Sequence, residues 1–78
     1  MGIQDLLRQV SRELYQVVHN YFGMTSNMTD LEWRVVIDGV NAVCDKYKHT
    51  AAKQYATQYG LCLLNELDRQ AREAQKNA

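Results

Sequence analysis

Thr29–Tyr47 reads TDLEWRVVIDGVNAVCDKY, and its periodicity decides the fold. Thr29 is followed three residues later by Glu32, the spacing of a capping box. The threonine oxygen takes one free backbone N–H of a starting helix, and the glutamate reaches back to the cap. Trp33, Val36, Ile37, Val40, Val43, Cys44 and Tyr47 then recur at three- and four-residue steps, one stripe at about 100° per residue. Leu31, Val35 and Ala42 fall nearly opposite, leaving a narrow polar strip of Arg34, Asp38, Asn41, Asp45 and Lys48. A helix apolar on two sides is expected to lie between two others. The stretch therefore predicts the middle helix of a small bundle, over residues 30–48.

On its N-terminal side, Ile3, Leu6, Leu7, Val10, Leu14, Val17, Val18 and Tyr21 share an arc about 120° wide, predicting a first helix over 3–22. Tyr15 and Phe22 flank that stripe. Gly23 stands where a helix needs a left-handed C′ residue. Met24–Met28 is polar enough to be a short loop, which makes the first two helices antiparallel neighbours. On the C-terminal side, Lys46–Thr50 holds cations suited to a helix C-terminus, and Thr50 can cap a new helix. A single helix of more than 40 residues running through this point is the alternative; it would demand a partner chain to cover it. The break gives a third helix over 51–75. Ala52, Tyr55, Ala56, Tyr59, Leu63 and Leu67 form its main stripe, while Gly60, Leu61, Leu64 and Ala71 lie on an adjoining face. Residues 69–78 are polar and thinly apolar, and are expected to fray or project. The expected architecture is all-α, one three-helix domain over 1–78.

A chain of 78 residues buries a modest core and commonly needs staples or oligomerisation. Cys44 and Cys62 sit within apolar helical patterns and form no metal-site or disulfide framework, so self-association becomes the expected supplement. Free thiols fit a reducing, cytoplasmic setting. Nine basic and nine acidic residues cancel, removing any global steering toward nucleic acid or anionic lipid. Asp5 and Arg8 interrupt any signal-peptide core, and Leu6 stands where a myristoylation motif requires Ser or Thr. No run approaches the roughly 20 apolar residues of a membrane span.

The chemistry-bearing residues point away from catalysis. His19 and His49 lack a second ligand at metal-site spacing, and no cofactor or metal is expected. Asp30/Glu32 and Glu66/Asp68 are two apart, so each pair diverges around its helix. No nucleophile motif, P-loop or dinucleotide fingerprint is present. The expectation is a non-catalytic helical interaction protein that acts by occupancy, as an inhibitor or adaptor. Its partners would be a second copy of itself and a larger protein. Gly60, Leu61, Leu64 and Ala71 form the expected contact face, because the leucines exceed what the main stripe needs and the glycine lowers the surface beside them. The alternative is nucleic-acid or nucleotide-phosphate binding through Lys46–Tyr59, KYKHTAAKQYATQY. There Lys46, Lys48, His49 and Lys53 interleave with Tyr47, Tyr55 and Tyr59, without an acid.

Overall fold

The computed structural model describes residues 2–23 and 28–76. It is an all-α three-helix bundle: α1 (Ile3–Val18), α2 (Asp30–Lys46) and α3 (Lys53–Lys76). The loop residues 24–27 of the expected Met24–Met28 turn, and residues 77–78 of the tail, lie outside the described residues. The tail expected to fray or project is helical as far as Lys76.

Each helix boundary has a local cause. Thr29 Oγ1 accepts from Glu32 N at 3.2 Å, and Glu32 Oε1 accepts from Thr29 N at 3.4 Å, so the capping box starts α2 where expected. The first helix is shorter than the apolar stripe suggested. After Val18 it tightens into one 3₁₀ turn, His19–Tyr21, and Gly23 adopts φ +90°, the left-handed conformation that favours glycine. Between α2 and α3 the chain makes a turn. Thr50 N donates to Tyr47 O, and Thr50 Oγ1 accepts from Ala52 N at 3.1 Å. The threonine hydroxyl thus closes a turn two residues ahead of the helix and does not cap it: regular α-helix begins at Lys53, not Ala51, with Ala52 at the N-cap position.

Side-chain contacts give the topology. Glu13 meets Lys46, and Gly39 approaches Val17, so α1 and α2 run antiparallel. Cys44 Sγ donates to Ala56 O at 3.5 Å while Gly60 approaches Val40, so α2 and α3 also run antiparallel. Ser11 meets Tyr55 and Leu14 meets Gly60, so α1 and α3 run parallel. The core is built from Val10, Leu14 and Val18 of α1, Val36 and Val40 of α2, Tyr47 and Ala52 of the turn, and Ala56 and Leu67 of α3. These are mostly small side chains, so the helices sit close together.

The two-sided burial expected of α2 does not occur. Leu31 is 69% exposed and Val35 53% exposed, and Ala42 also faces solvent. In a three-helix bundle the two neighbours of any helix sit on adjoining sides of it, not opposite ones. One stripe of α2 therefore serves both α1 and α3, and the second stripe is left outside.

Two outcomes test this packing. Thr29→Ala removes the cap and is expected to cost about 0.5–2 kcal/mol; an unchanged urea midpoint would place the start of α2 elsewhere. A Cβ on Gly60 would lie 2.8 Å from Val40 Cγ1. Val40 is buried and β-branched and has no room to yield. Gly60→Ala gains about 1 kcal/mol in helix propensity but incurs overpacking of about 1–3 kcal/mol, and is expected to lower the midpoint. A Cβ on Gly39 meets Val17 at the same distance, yet Val17 is only half-buried and can turn. Gly39→Ala is therefore expected to cost less than Gly60→Ala.

Candidate interaction surface

The face expected on the third helix is divided by the packing. Gly60 is buried, with Val40, Cys44 and Leu14 around its missing Cβ. The close approach it permits is spent inside the chain, so it does not lower an outer surface. Leu64, four residues on, is half-buried and packs against the core; it does not point away as expected. Ala71 is half-buried as well. Leu61 alone of the four remains fully at the surface, 55% exposed. Helical arithmetic supplies it with a neighbour that the sequence reading had assigned to the core. Ile37 lies three residues before Val40 and seven before Cys44, on the side of α2 that meets α3. It is 42% exposed. In this antiparallel pair Ile37 and Leu61 rim the α2–α3 seam from its two sides, with Leu64 beneath them.

The Lys46–Tyr59 stretch is dispersed by the fold. Lys46 Nζ lies 2.5 Å from Glu13 Oε1, and the Tyr47 hydroxyl donates to Glu13 Oε2. Lys46 also sits 5.5 Å from the centroid of the Tyr47 ring. Tyr47 is 4% exposed and belongs to the core. Lys48, His49 and Lys53 are exposed around the α2–α3 turn. Tyr55 and Tyr59 face the other way, toward α1. The cations and aromatic faces that alternate in the sequence therefore do not form one surface.

Glu13 had no role in the sequence reading, and it holds the end of α2 against α1. The Lys46 hydrogen bond, and then that of Tyr47, keep its carboxyl below the usual carboxylate range. Burial, and then the carboxylate it faces, push the Tyr47 phenol up to about 12. Burial also raises the Cys44 thiol, with the Asp45 charge adding to it. Both changes keep these groups neutral at pH 7, as suits side chains that pack.

Sequence reasoning also missed a face between α1 and α3. Ser11 Oγ donates to Leu7 O at 2.9 Å and lies 2.5 Å from the Tyr55 hydroxyl. Since the serine proton is committed to Leu7, Tyr55 is the donor across the helix pair. Tyr55 and Tyr59 stack with ring centroids 5.7 Å apart. On α1, Tyr15 stacks on His19 at 5.9 Å and lies 6.2 Å from Phe22. The legible signal was the i, i+4 spacing of Ser11, Tyr15 and His19 beside the main stripe of α1, and the four- and three-residue steps of Tyr55, Tyr59 and Cys62 on α3. Nothing in a single sequence says that these two rows adjoin.

Among the described residues no group of three or more His, Cys, Asp or Glu is placed to hold a metal, and no helix is long and apolar enough to cross a membrane. No known protein family, characterised protein or solved structure matches the chain.

The Glu13–Tyr47 contact predicts pH dependence at both extremes. Glu13 is depressed in the fold, so its contribution is present above the unfolded carboxylate value of about 4.3 and lost as pH falls through the folded value. Tyr47 is raised, so its contribution is complete below about 10 and lost as pH rises toward about 12. Tyr47→Phe is expected to lower stability at pH 7 by about 1 kcal/mol and to flatten the alkaline decline of the urea midpoint. A decline unchanged in the variant would assign it to Tyr59, whose hydroxyl burial also pushes up.

Proposed function

We propose that this chain is a non-catalytic helical interaction protein that works by occupying a surface of a larger protein, as an inhibitor or adaptor does. The observation that carries this reading is the outer rim of the α2–α3 seam. Ile37 and Leu61 stand 42% and 55% exposed on rigid, antiparallel helices locked together by the Gly60–Val40 approach. Single exposed apolar residues are ordinary. Two from different helices over one seam make a ridge that can enter a partner's groove, as helical faces commonly do. A preformed helical ridge loses little conformational entropy on binding. Two unpaired thiols, Cys44 and Cys62, suit a reducing cytoplasm.

The second reading, binding of nucleic acid or nucleotide phosphate at Lys46, Lys48, His49, Lys53 and Tyr55, has less support. Lys46 is engaged by Glu13, and Tyr55 is turned to Ser11.

Capture from a host lysate by the tagged chain separates the two. The expected result is one larger protein retained after nuclease treatment and lost with Ile37→Asp plus Leu61→Asp, while circular dichroism of the variant stays helical. Retention that survives both substitutions would move the surface elsewhere. Retention that nuclease abolishes, and that Lys48→Gln with Lys53→Gln weakens, would favour the second reading.

A further inference from the structure

The α1–α3 face is chemically unlike the rest of the surface. Three of the five tyrosines, Tyr15, Tyr55 and Tyr59, lie along it with His19 and Phe22. Tyr15 is 50% exposed, and Tyr55, Tyr59 and Phe22 are half-buried. Cys62 is exposed on α3, one turn beyond Tyr59. The rings are held in place: Tyr55 by Ser11 and by its stack on Tyr59, Tyr15 by its stack on His19. Tyrosines already fixed in one arrangement give large contact area at small entropic cost and are enriched at the centres of interfaces.

Charge is distributed along the bundle in a way that selects an occupant. The end formed by residues 3–13 and 41–53 carries five basic and three acidic residues. The end formed by residues 28–38 and 66–76 carries four basic and six acidic ones. The chain is neutral overall but bipolar lengthwise. Parallel copies would place like ends together, whereas antiparallel copies set the basic end of each against the acidic end of the other. Arg8, two turns before Tyr15 on the same side of α1, then falls at the level of Glu66, two turns after Tyr59, in the other copy. A two-fold axis at the level of Tyr15 and Tyr59 presents each aromatic row to itself, as a closed symmetric dimer requires. Size agrees: the molecule measures 47 × 20 × 17 Å, so one long face is comparable with the ~800 Å² that each partner gives to a stable interface.

We infer that the α1–α3 face, centred on Tyr15, Tyr55 and Tyr59, binds a second copy of this chain in antiparallel orientation. Self-association thus passes from the Leu61 face, where the sequence suggested it, to the other flank of α3. It does not depend on the function proposed above, and the two can fail separately.

The test is sedimentation equilibrium of the full chain over a concentration series, with and without added sodium chloride. The expected wild-type mass approaches twice the 9.0 kDa of one chain. Added salt weakens the dimer, because opposite ends attract and screening reduces that attraction. Tyr15→Asp is expected to raise the dissociation constant by at least about tenfold, as loss of a central aromatic does, with circular dichroism unchanged. Should Tyr15→Asp lose its helical signal, Cys62→Arg places a charge on the same face at an exposed position and is expected to give the same loss. A wild-type monomer throughout overturns the inference. So does a dimer broken by Leu61→Asp but not by Tyr15→Asp or Cys62→Arg, and so does a dimer that tightens with salt. Association seen only with an added single-stranded oligonucleotide would assign the tyrosines to base stacking and would also overturn it.

Discussion

Everything in this bundle depends on how closely α2 and α3 approach at Gly60. Val40 and Cys44 of α2 and Leu14 of α1 all converge on the space where a side chain would be. The three helices meet at that point, and four valines and two alanines, with only Leu14, Leu67 and Tyr47 larger, suffice to fill what remains between them. With larger spacing the same residues would leave voids, whose cost rises with their volume. The glycine's penalty in helix propensity is thus offset by dispersion contacts that no other residue would permit here.

The consequences run outward. Close helices turn Leu64 inward and leave Leu61 on the rim with Ile37. They also bring the C-terminal end of α2 against α1, where Glu13 receives both Lys46 and Tyr47. That contact joins residues more than thirty apart and takes the first lysine out of a basic stretch. The fold has converted a linear pattern of alternating cations and aromatics into separate structural duties: a clamp, a core ring and a tyrosine pair on another face.

A small core and an apolar remainder belong together. The described chain buries mainly small side chains while leaving Leu31, Val35, Ile37, Leu61 and Tyr15 substantially exposed. These residues fall on different outer flanks of the bundle. The self-contact and the partner contact proposed above therefore draw on different side chains.

The amino-acid sequence alone determined the local structure. Thr29 with Glu32, Gly23, Thr50 and the three- to four-residue apolar steps act through bonds and torsions within a few residues, so the helices and the break at Lys46–Thr50 could be read directly. The bundle followed because three amphipathic stripes must cover one another. Which side of a stripe stays outside could not be read, since neighbours in a three-helix bundle adjoin rather than oppose. That is why Leu31, Val35 and Ile37 looked buried. Gly60 was legible as a site of close approach, but its neighbour was decided by register: whether another chain or α2 lies against it depends on how α2 and α3 align lengthwise. The Glu13 clamp and the tyrosine face came from the same source. Their members are joined by contacts across the bundle, and only packing brings residues 11 and 55, or 13 and 47, within a hydrogen bond of each other.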